Sequence, residues 1–283
     1  MTTNILTCID GSIYSASVAD HAAWAAMRLG AGVQLLQVLG RREATSEDRS
    51  GRIVAGARRQ LLEELAALDA ERAKLLRSQA RLDLEDAAER LREAGVEEIS
   101  PLLRHGDLLE TLNALEANAD LTVIGKRGEA ADFAKLHLGS NLERILRSAR
   151  RPVLVASRAF QPIERCLVAF DGGTSSIRGV DEMSRSPLFR GLAVIVVMIG
   201  EETEANRRKL EDAAAQLKAG GLEVDTRLRQ GSPNLAIPET LEETGADMMV
   251  MGAYGHSRLR TLVIGSTTAE MIRACRVPIL VYR

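Results

Sequence analysis

Two glycine-rich segments, each closed by a Gly-Ser step, are the part of this sequence best suited to chemistry. The second segment contains Gly252, Gly255 and Gly265, and Ser266 and Thr267 follow its last glycine. Glycine lets the backbone approach a phosphate closely, and the free N–H groups at the start of a helix attract an anion. The spacing is not that of a P-loop, which needs Gly-Lys-Ser/Thr. We therefore predict an anion seat where Ser266 begins a helix.

A looser copy of this segment stands earlier in the chain. It contains Gly125, Gly128 and Gly139, with Ser140 after the last glycine. Ten residues separate Gly128 from Gly139, whereas nine separate the equivalent glycines of the second segment. The extra residue could misalign the anion seat, while the Lys-Arg pair between Gly125 and Gly128 could contact phosphate by another route. We therefore expect anion binding mainly in the second half.

Both segments belong to a repeat that covers the whole chain. Gly252 lies 127 residues after Gly125, and the apolar run at Pro278 lies 126 residues after the run at Pro152. The motifs recur in the same order at nearly one offset, which is the mark of a duplicated unit. Apolar strand-like runs alternate with helical segments in each copy, a pattern typical of a buried parallel sheet.

The repeat predicts two tandem doubly wound α/β domains, because crossovers between parallel strands are right-handed. We place the first domain at residues 1–158 and the second at 163–283, joined by a short linker at about 157–164. So short a linker indicates that the two halves pack together. In open sheets of this kind, ligands bind outside the carboxyl ends of the strands.

The first copy carries about 34 residues that the second lacks. The acidic residues after the opening strands, Asp10 and Asp171, are 161 residues apart, whereas the glycine segments are 127 apart. The additional residues fall at about 41–81, where leucines at helical spacing indicate a long amphipathic helix: Leu61, Leu65, Leu68 and Leu75. We expect this helix to pack on its own domain; the alternative is a partner-binding arm.

Composition narrows the class of protein. A formal net charge of −2 and only eight aromatic residues (one Trp, three Tyr, four Phe) argue against nucleic-acid binding. No apolar run reaches about 18 residues and the start carries no basic segment, so we expect no membrane span and no signal peptide. Three scattered cysteines fit a reducing compartment, and we expect a cytoplasmic protein. The four histidines lack metal-ligand spacing with the cysteines, so we predict no metal site.

The pattern Gly252-x2-Gly255-x9-Gly265-Ser266 resembles the nucleotide-binding motif of the universal stress protein family. That resemblance implies a Rossmann-like fold with five parallel strands per domain in the order 3-2-1-4-5. It also implies that ATP, accompanied by Mg²⁺, lies along the motif. The contacts it implies are Asp171, Met198, Met251, Gly252, Gly255, Gly265, Ser266 and Thr267 in the second half, and Asp10, Val38, Gly125, Gly128, Gly139 and Ser140 in the first.

The resemblance further implies a role in the stress response, in which ATP occupancy changes binding or assembly. The last strands of the two halves, at about 153–156 and 279–282, are expected to pair within the chain as a pseudo-dimer, and a homodimer is possible. One alternative is an interaction scaffold of the same fold that binds no nucleotide. Another is a slow ATPase, although no general base is evident in the motif.

Overall fold

The computed structural model describes residues 4–40, 55–126, 140–253 and 266–283. In the first half the strands are β1 (Asn4–Cys8), β2 (Gly32–Leu39), β3 (Ile99–His105), β4 (Leu121–Gly125) and β5 (Val153–Ala156), and the helices are α1 (Ser15–Leu29), α2 (Ala55–Glu93), α3 (Leu108–Leu115) and α4 (Ser140–Ser148). In the second half the strands are β6 (Arg165–Ala169), β7 (Ala193–Ile199), β8 (Glu223–Arg229), β9 (Met248–Gly252) and β10 (Ile279–Tyr282), and the helices are α5 (Thr174–Arg185), α6 (Glu204–Ala219), α7 (Pro233–Thr244) and α8 (Ser266–Ala274).

The ten strands form one sheet in the order β3-β2-β1-β4-β5-β10-β9-β6-β7-β8. Each half therefore has the predicted order 3-2-1-4-5, and the predicted α/β class is confirmed. Within each half the paired strands run parallel, and apolar residues bury both faces of the sheet under helices. Doubly wound domains of this kind bring the carboxyl ends of their strands to one edge.

An antiparallel pair of strands joins the two halves. Ile279 of β10 lies opposite Val155 of β5, and Val281 lies opposite Val153. All four side chains are buried, so the sheet core continues across the junction. The last strands of the two halves thus pair within the chain.

Side chains reach across the same junction in both directions. The Lys126 ammonium group donates hydrogen bonds to the Cys275 and Val277 carbonyls at the end of α8. In return, Arg283 Nη1 donates to the Ala149 carbonyl at the end of α4, at 3.2 Å. A cation near a helix carboxyl end is favourable because the last carbonyls lack partners within the helix.

Helix α2 is much longer than its counterpart in the second half, as the additional residues of the first copy predict. It is 39 residues long, against 16 for its counterpart α6. The buried side chains of the two helices correspond at an offset of 126: Leu84 and Leu210, Ala87 and Ala213, Ala88 and Ala214, Leu91 and Leu217. The additional residues therefore extend the start of α2.

The leucines of this extension do not pack on their own domain, so that expectation was wrong. Between residues 61 and 79 no side chain is buried, and Leu68 is 67% exposed. The buried face of α2 begins only at Ala80. Helical spacing predicted the helix correctly, but it does not say where the supporting sheet ends. Within the described ranges, the helices are too short or too polar to cross a membrane.

Candidate functional site

The candidate site of the second half lies at the carboxyl ends of β6, β7 and β9. Ala169, the last residue of β6, pairs with Met251 of β9 and with Val197 of β7. The three strand ends therefore meet at one edge, together with the start of α5 and the start of α8. This is the edge at which open parallel sheets bind ligands.

Asp171 organises the turn between β6 and α5. Its Oδ1 accepts hydrogen bonds from the Gly173 N–H at 2.8 Å and from the Ser176 hydroxyl at 2.6 Å. The intervening Gly172 has φ +71°, a left-handed conformation that glycine adopts without strain. The predicted acidic residue thus has a clear local role, in holding the start of α5 against the strand end.

Asp10 organises the equivalent turn of the first half. Its Oδ1 accepts from the Ser12 N–H at 3.1 Å and from the Ser15 hydroxyl at 3.4 Å. Gly11 has φ +72°, nearly the same as its counterpart in the second half. The two turns are built alike, so they do not themselves distinguish the halves.

Gly252 brings β9 into close contact with the start of α5. A β-carbon at this position would lie 2.9 Å from Ser175 Cβ and 3.0 Å from the Ser176 nitrogen. A contact under about 3 Å forces the neighbouring atoms to move, so only glycine fits without rearrangement. The motif glycine is therefore needed by the packing of the protein itself, whatever ligand is bound.

Helix α8 begins at Ser266, as the Gly-Ser step predicts. Thr268 fixes its first turn to the end of β9, because the Thr268 hydroxyl donates to the Ala253 carbonyl at 3.1 Å. Thr267 is half-buried beside it. The first-turn N–H groups of α8, which have no partner within the helix, thus lie beside the edge defined by Gly252.

A lysine lies at the rim of the second-half site. A β-carbon added to Gly172 would lie 3.3 Å from Lys209 Cδ and 3.8 Å from Lys209 Nζ. Lys209 is exposed, in the second turn of α6. The turn held by Asp171 therefore has an ammonium group beside it, which favours a ligand of negative charge.

The first half has a carboxylate in the same place. A β-carbon added to Gly11 would collide with the Asp83 carboxylate, which lies on α2. Asp83 and Lys209 are 126 residues apart, so they are equivalent positions of the repeat. Asp83 is held there by the Gln79 amide at 2.9 Å and the Gln37 amide at 3.1 Å. The sequence motifs predicted neither Asp83 nor Lys209 as a residue of the site.

The strand register shows that two of the predicted contacts, Val38 and Met198, are not equivalent positions of the repeat. The Ile9 N–H bonds to the Leu36 carbonyl and the Phe170 N–H bonds to the Val197 carbonyl, which aligns β2 with β7. Val38 is therefore equivalent to Ile199, and Met198 is equivalent to Gln37.

Val38 and Met198 consequently point to opposite faces of the sheet. Val38 packs on the α3 and α4 side, whereas Met198 is buried at 3% exposure on the α5 and α6 side. A shift of one residue along a strand exchanges the faces. Ile199, which is half-buried, is the true counterpart of Val38.

Several predicted residues lie outside the described part of the chain or are only partly described. Gly128, Gly139, Gly255 and Gly265 fall in the ranges that the structure does not describe. Ser140 and Ser266 are placed only as the first residues of α4 and α8. Of the remaining predicted contacts, Gly125 and Met251 lie at the ends of β4 and β9 as expected.

Lys126 does not make the phosphate contact that the sequence suggested for the Lys-Arg pair after Gly125. Its ammonium group donates to backbone carbonyls of the other half, and Arg127 lies outside the described residues.

Burial raises the pKa of the Cys8 and Cys166 thiols to about 12, so both behave as small apolar side chains. In the part of the chain that is described, no three His, Cys, Asp or Glu side chains gather as metal ligands.

Comparisons with known proteins agree with this fold. A sequence model of the universal stress protein family matches residues 1–157 and 185–283. Universal stress protein Slr1230 of Synechocystis is 36% identical over 285 residues, with 99% of each chain covered.

Two solved structures were also compared. The crystal structure of a universal stress protein from Archaeoglobus fulgidus covers 99% of this chain and 96% of its own, with TM-score 0.74 and 21% identity. A universal stress protein in complex with cAMP covers 44% of this chain and 98% of its own, with TM-score 0.38 and 25% identity.

The fold, the repeated turn and the matches that cover both halves define a tandem α/β protein with two Rossmann-like units. This chain belongs to the universal stress protein family.

Proposed function

We propose that this protein binds ATP in its second half and acts in the stress response by nucleotide-linked binding or assembly. The observation that carries the proposal is the charge at the rim of each half. Lys209 lies beside the turn held by Asp171, whereas Asp83 lies beside the equivalent turn held by Asp10. Because ATP is strongly anionic, the ammonium group favours it and the carboxylate opposes it.

The donors at the second-half edge suit a nucleotide. The start of α8 offers backbone N–H groups for phosphate oxygens, and the half-buried Ile199, which packs on the same core cluster as the buried Met251, offers apolar surface for a base. Lys209 supplies the cation, and Mg²⁺ would arrive with the phosphates and keep most of its water ligands. No aromatic stacking is required, which agrees with the low aromatic content.

The first half fits the same ligand poorly. The Asp83 carboxylate is fixed by two amides, so it does not swing clear of the Gly11 turn without losing both hydrogen bonds. Two unit charges at about 8 Å interact by about 0.5 kcal/mol in water and by about 2 kcal/mol where the effective dielectric constant is about 20. We therefore propose one ATP per chain.

The test is release of nucleotide from the purified protein. Denatured protein should release adenine nucleotide detectable by chromatography and ultraviolet absorbance, and added ATP should raise the melting temperature of the emptied protein. If neither occurs, the proposal fails and the scaffold alternative stands.

A matched pair of variants assigns the site to one half. Gly265→Val should weaken ATP binding by about 100-fold, whereas the equivalent Gly139→Val should leave it within about twofold. Equal losses in both variants would contradict the assignment to the second half. Phosphate release that survives purification and disappears in Gly265→Val would favour the slow ATPase alternative.

A further inference from the structure

The extension of α2 forms an arm, residues 61–79, that projects from the first half. From Leu61 to Gln79 the helix runs for about 27 Å at 1.5 Å per residue, and it has no buried side chain. The buried face of α2 begins at Ala80. A helix that packs on nothing and exposes many leucines is unusual in an isolated chain, because apolar side chains in contact with water contribute no burial free energy to its stability.

Most exposed leucines of the arm, with Leu82 just beyond it, follow a heptad repeat, whereas Leu62 is 57% exposed and lies outside the repeat. Leu61, Leu68, Leu75 and Leu82 are seven residues apart, and Leu65 occupies an intervening position. These five side chains, which we call the leucine row, are each between 40% and 67% exposed. Leucine at every seventh position, with a second series three or four residues away, is the spacing of a helix that pairs with another helix.

The other intervening positions of the heptad are polar, at Arg72 and Gln79. Polar residues at such positions reduce the stability of a helix pair while they select its register and its number of strands. Four consecutive heptad leucines meet the minimum length for a coiled coil. The leucine row therefore predicts a pair of two helices that associate with moderate affinity.

The charges of the arm are segregated along its length. Residues 63–71 carry only acidic charges, at Glu63, Glu64, Asp69 and Glu71. Residues 72–81 carry only basic charges, at Arg72, Lys74, Arg77 and Arg81. Two arms side by side in the same direction would place like charges together, whereas two antiparallel arms place each acidic segment against a basic one.

We propose that two copies of this chain associate through their arms as an antiparallel two-stranded coiled coil. A second copy is the partner because one surface supplies both the leucine row and its complementary charges. An antiparallel pair has two-fold symmetry, so the same patch serves both chains and the assembly closes at two. It also sets the two folded bodies at opposite ends of the paired arms, where they do not collide. This proposal does not depend on nucleotide binding.

The first experiment is sedimentation of the full chain from about 1 to about 200 µM. We expect the mass to rise toward that of two chains, and we expect Leu68→Glu with Leu75→Glu to remain monomeric throughout. The control is Leu235→Glu, an equally exposed leucine on α7, which should dimerise like the unaltered chain. Circular dichroism at about 1 µM, where the chain is expected to be monomeric, checks that each variant is folded, and since the leucines are exposed in the monomer we expect unchanged melting there.

Cross-linking tests the direction of the arms. Leu61→Cys mixed with Leu82→Cys should form a disulfide between chains, whereas Leu61→Cys alone should not. The native thiols of Cys8, Cys166 and Cys275 are buried and should not interfere. A chain that stays monomeric at the highest concentration, or a dimer that survives the double glutamate substitution, overturns the proposal. Cross-linking of Leu61→Cys with itself would overturn the antiparallel arrangement.

Discussion

In the first half a carboxylate, Asp83, lies against the turn that follows the opening strand, whereas in the second half an ammonium group, Lys209, lies against the equivalent turn. The turns themselves are alike, with an aspartate accepting from the second residue on and a glycine at φ near +70°. The two halves therefore share the backbone geometry of this turn but carry opposite charges at the rim of the site. A ligand that suits one half therefore need not occupy the other.

A second contrast lies where the long helices end. After α6 the chain reads Gly220-Gly221, whereas after α2 it reads Ala94-Gly95. A β-carbon at Gly220 would overlap the Ser184 carbonyl at the end of α5, but Ala94 is exposed. The second half thus packs two helix ends more closely than the first.

Gly220→Ala, which gives the second half the first half's residue, should have the largest effect on stability. We expect a loss of about 3 kcal/mol in the free energy of unfolding, because the added methyl group has no space. The converse Ala94→Gly should cost about 1 kcal/mol or less, through backbone entropy alone. Denaturant titration measures both, and equal losses would show that the two helix ends are equivalent after all.

Lys126→Met tests the junction between the halves. The variant removes the hydrogen bonds to the Cys275 and Val277 carbonyls but keeps most of the apolar stem. We expect a loss of about 2 kcal/mol in the free energy of unfolding, since the donor is charged. Arg283→Met, which removes the reciprocal bond to the Ala149 carbonyl, is the matched variant and should cost less. A larger loss for Arg283→Met would reverse this view of the junction.

Exchanging the charges of Lys209 and Asp83 tests whether these residues decide which half binds ATP. Lys209→Asp should weaken ATP binding by about tenfold, about 1.4 kcal/mol, and the loss should shrink as salt is raised. Asp83→Lys should not weaken binding at the second half. Isothermal titration calorimetry measures both affinities, and an unchanged affinity in Lys209→Asp would sink the role assigned to that ammonium group.

The smallest expected effect on the free energy of unfolding comes from Asp107, the cap of α3, and this effect depends on pH. The backbone N–H of Glu110, followed by Arg144 and the N–H of Leu109, lowers the pKa of the Asp107 carboxyl below its ordinary value. A group whose pKa is lowered by folding stabilises the protein above its unfolded pKa, and this contribution is lost as pH falls through the folded pKa.

Asp107→Ala should therefore cost about 1 kcal/mol at neutral pH, and the difference from the unaltered chain should disappear in acid. The equivalent cap of α7, Ser232, has no side-chain hydrogen bond to the helix, so Ser232→Ala should cost much less. Urea titrations from neutral to acidic pH measure both variants. A loss for Asp107→Ala that persists at low pH would rule out the capping role.

Much of the fold could be predicted because strand pattern and repeat offset act together. Buried apolar strands that alternate with helices leave few arrangements, and the offset gave the two-fold repetition. The two halves also share an Ala-Asp step just before β4 and β9, at 119–120 and 246–247, and the structure explains its aspartate. Asp120 accepts the Asn4 N–H at 3.2 Å, and Asp247 accepts the Arg165 N–H at 2.9 Å, so each carboxylate secures the start of the opening strand.

The rest of the site could not be predicted because its contacts join residues far apart in sequence. Asp83 meets the Gly11 turn from a helix that no motif marks, although the 126-residue offset that pairs it with Lys209 was already present in the sequence. That Ile199, and not Met198, is the counterpart of Val38 follows from the hydrogen-bond register, which apolar patterning alone does not show.

The number of ATP molecules bound per chain decides whether the two halves differ in binding. Equilibrium dialysis of the emptied protein with labelled ATP should give one site per chain, lost in Gly265→Val and kept in Gly139→Val. Asp83→Lys should preserve that site and admit a second, weaker one. Two equal sites in the unaltered chain, or none, would contradict the claim that the rim charge decides which half binds.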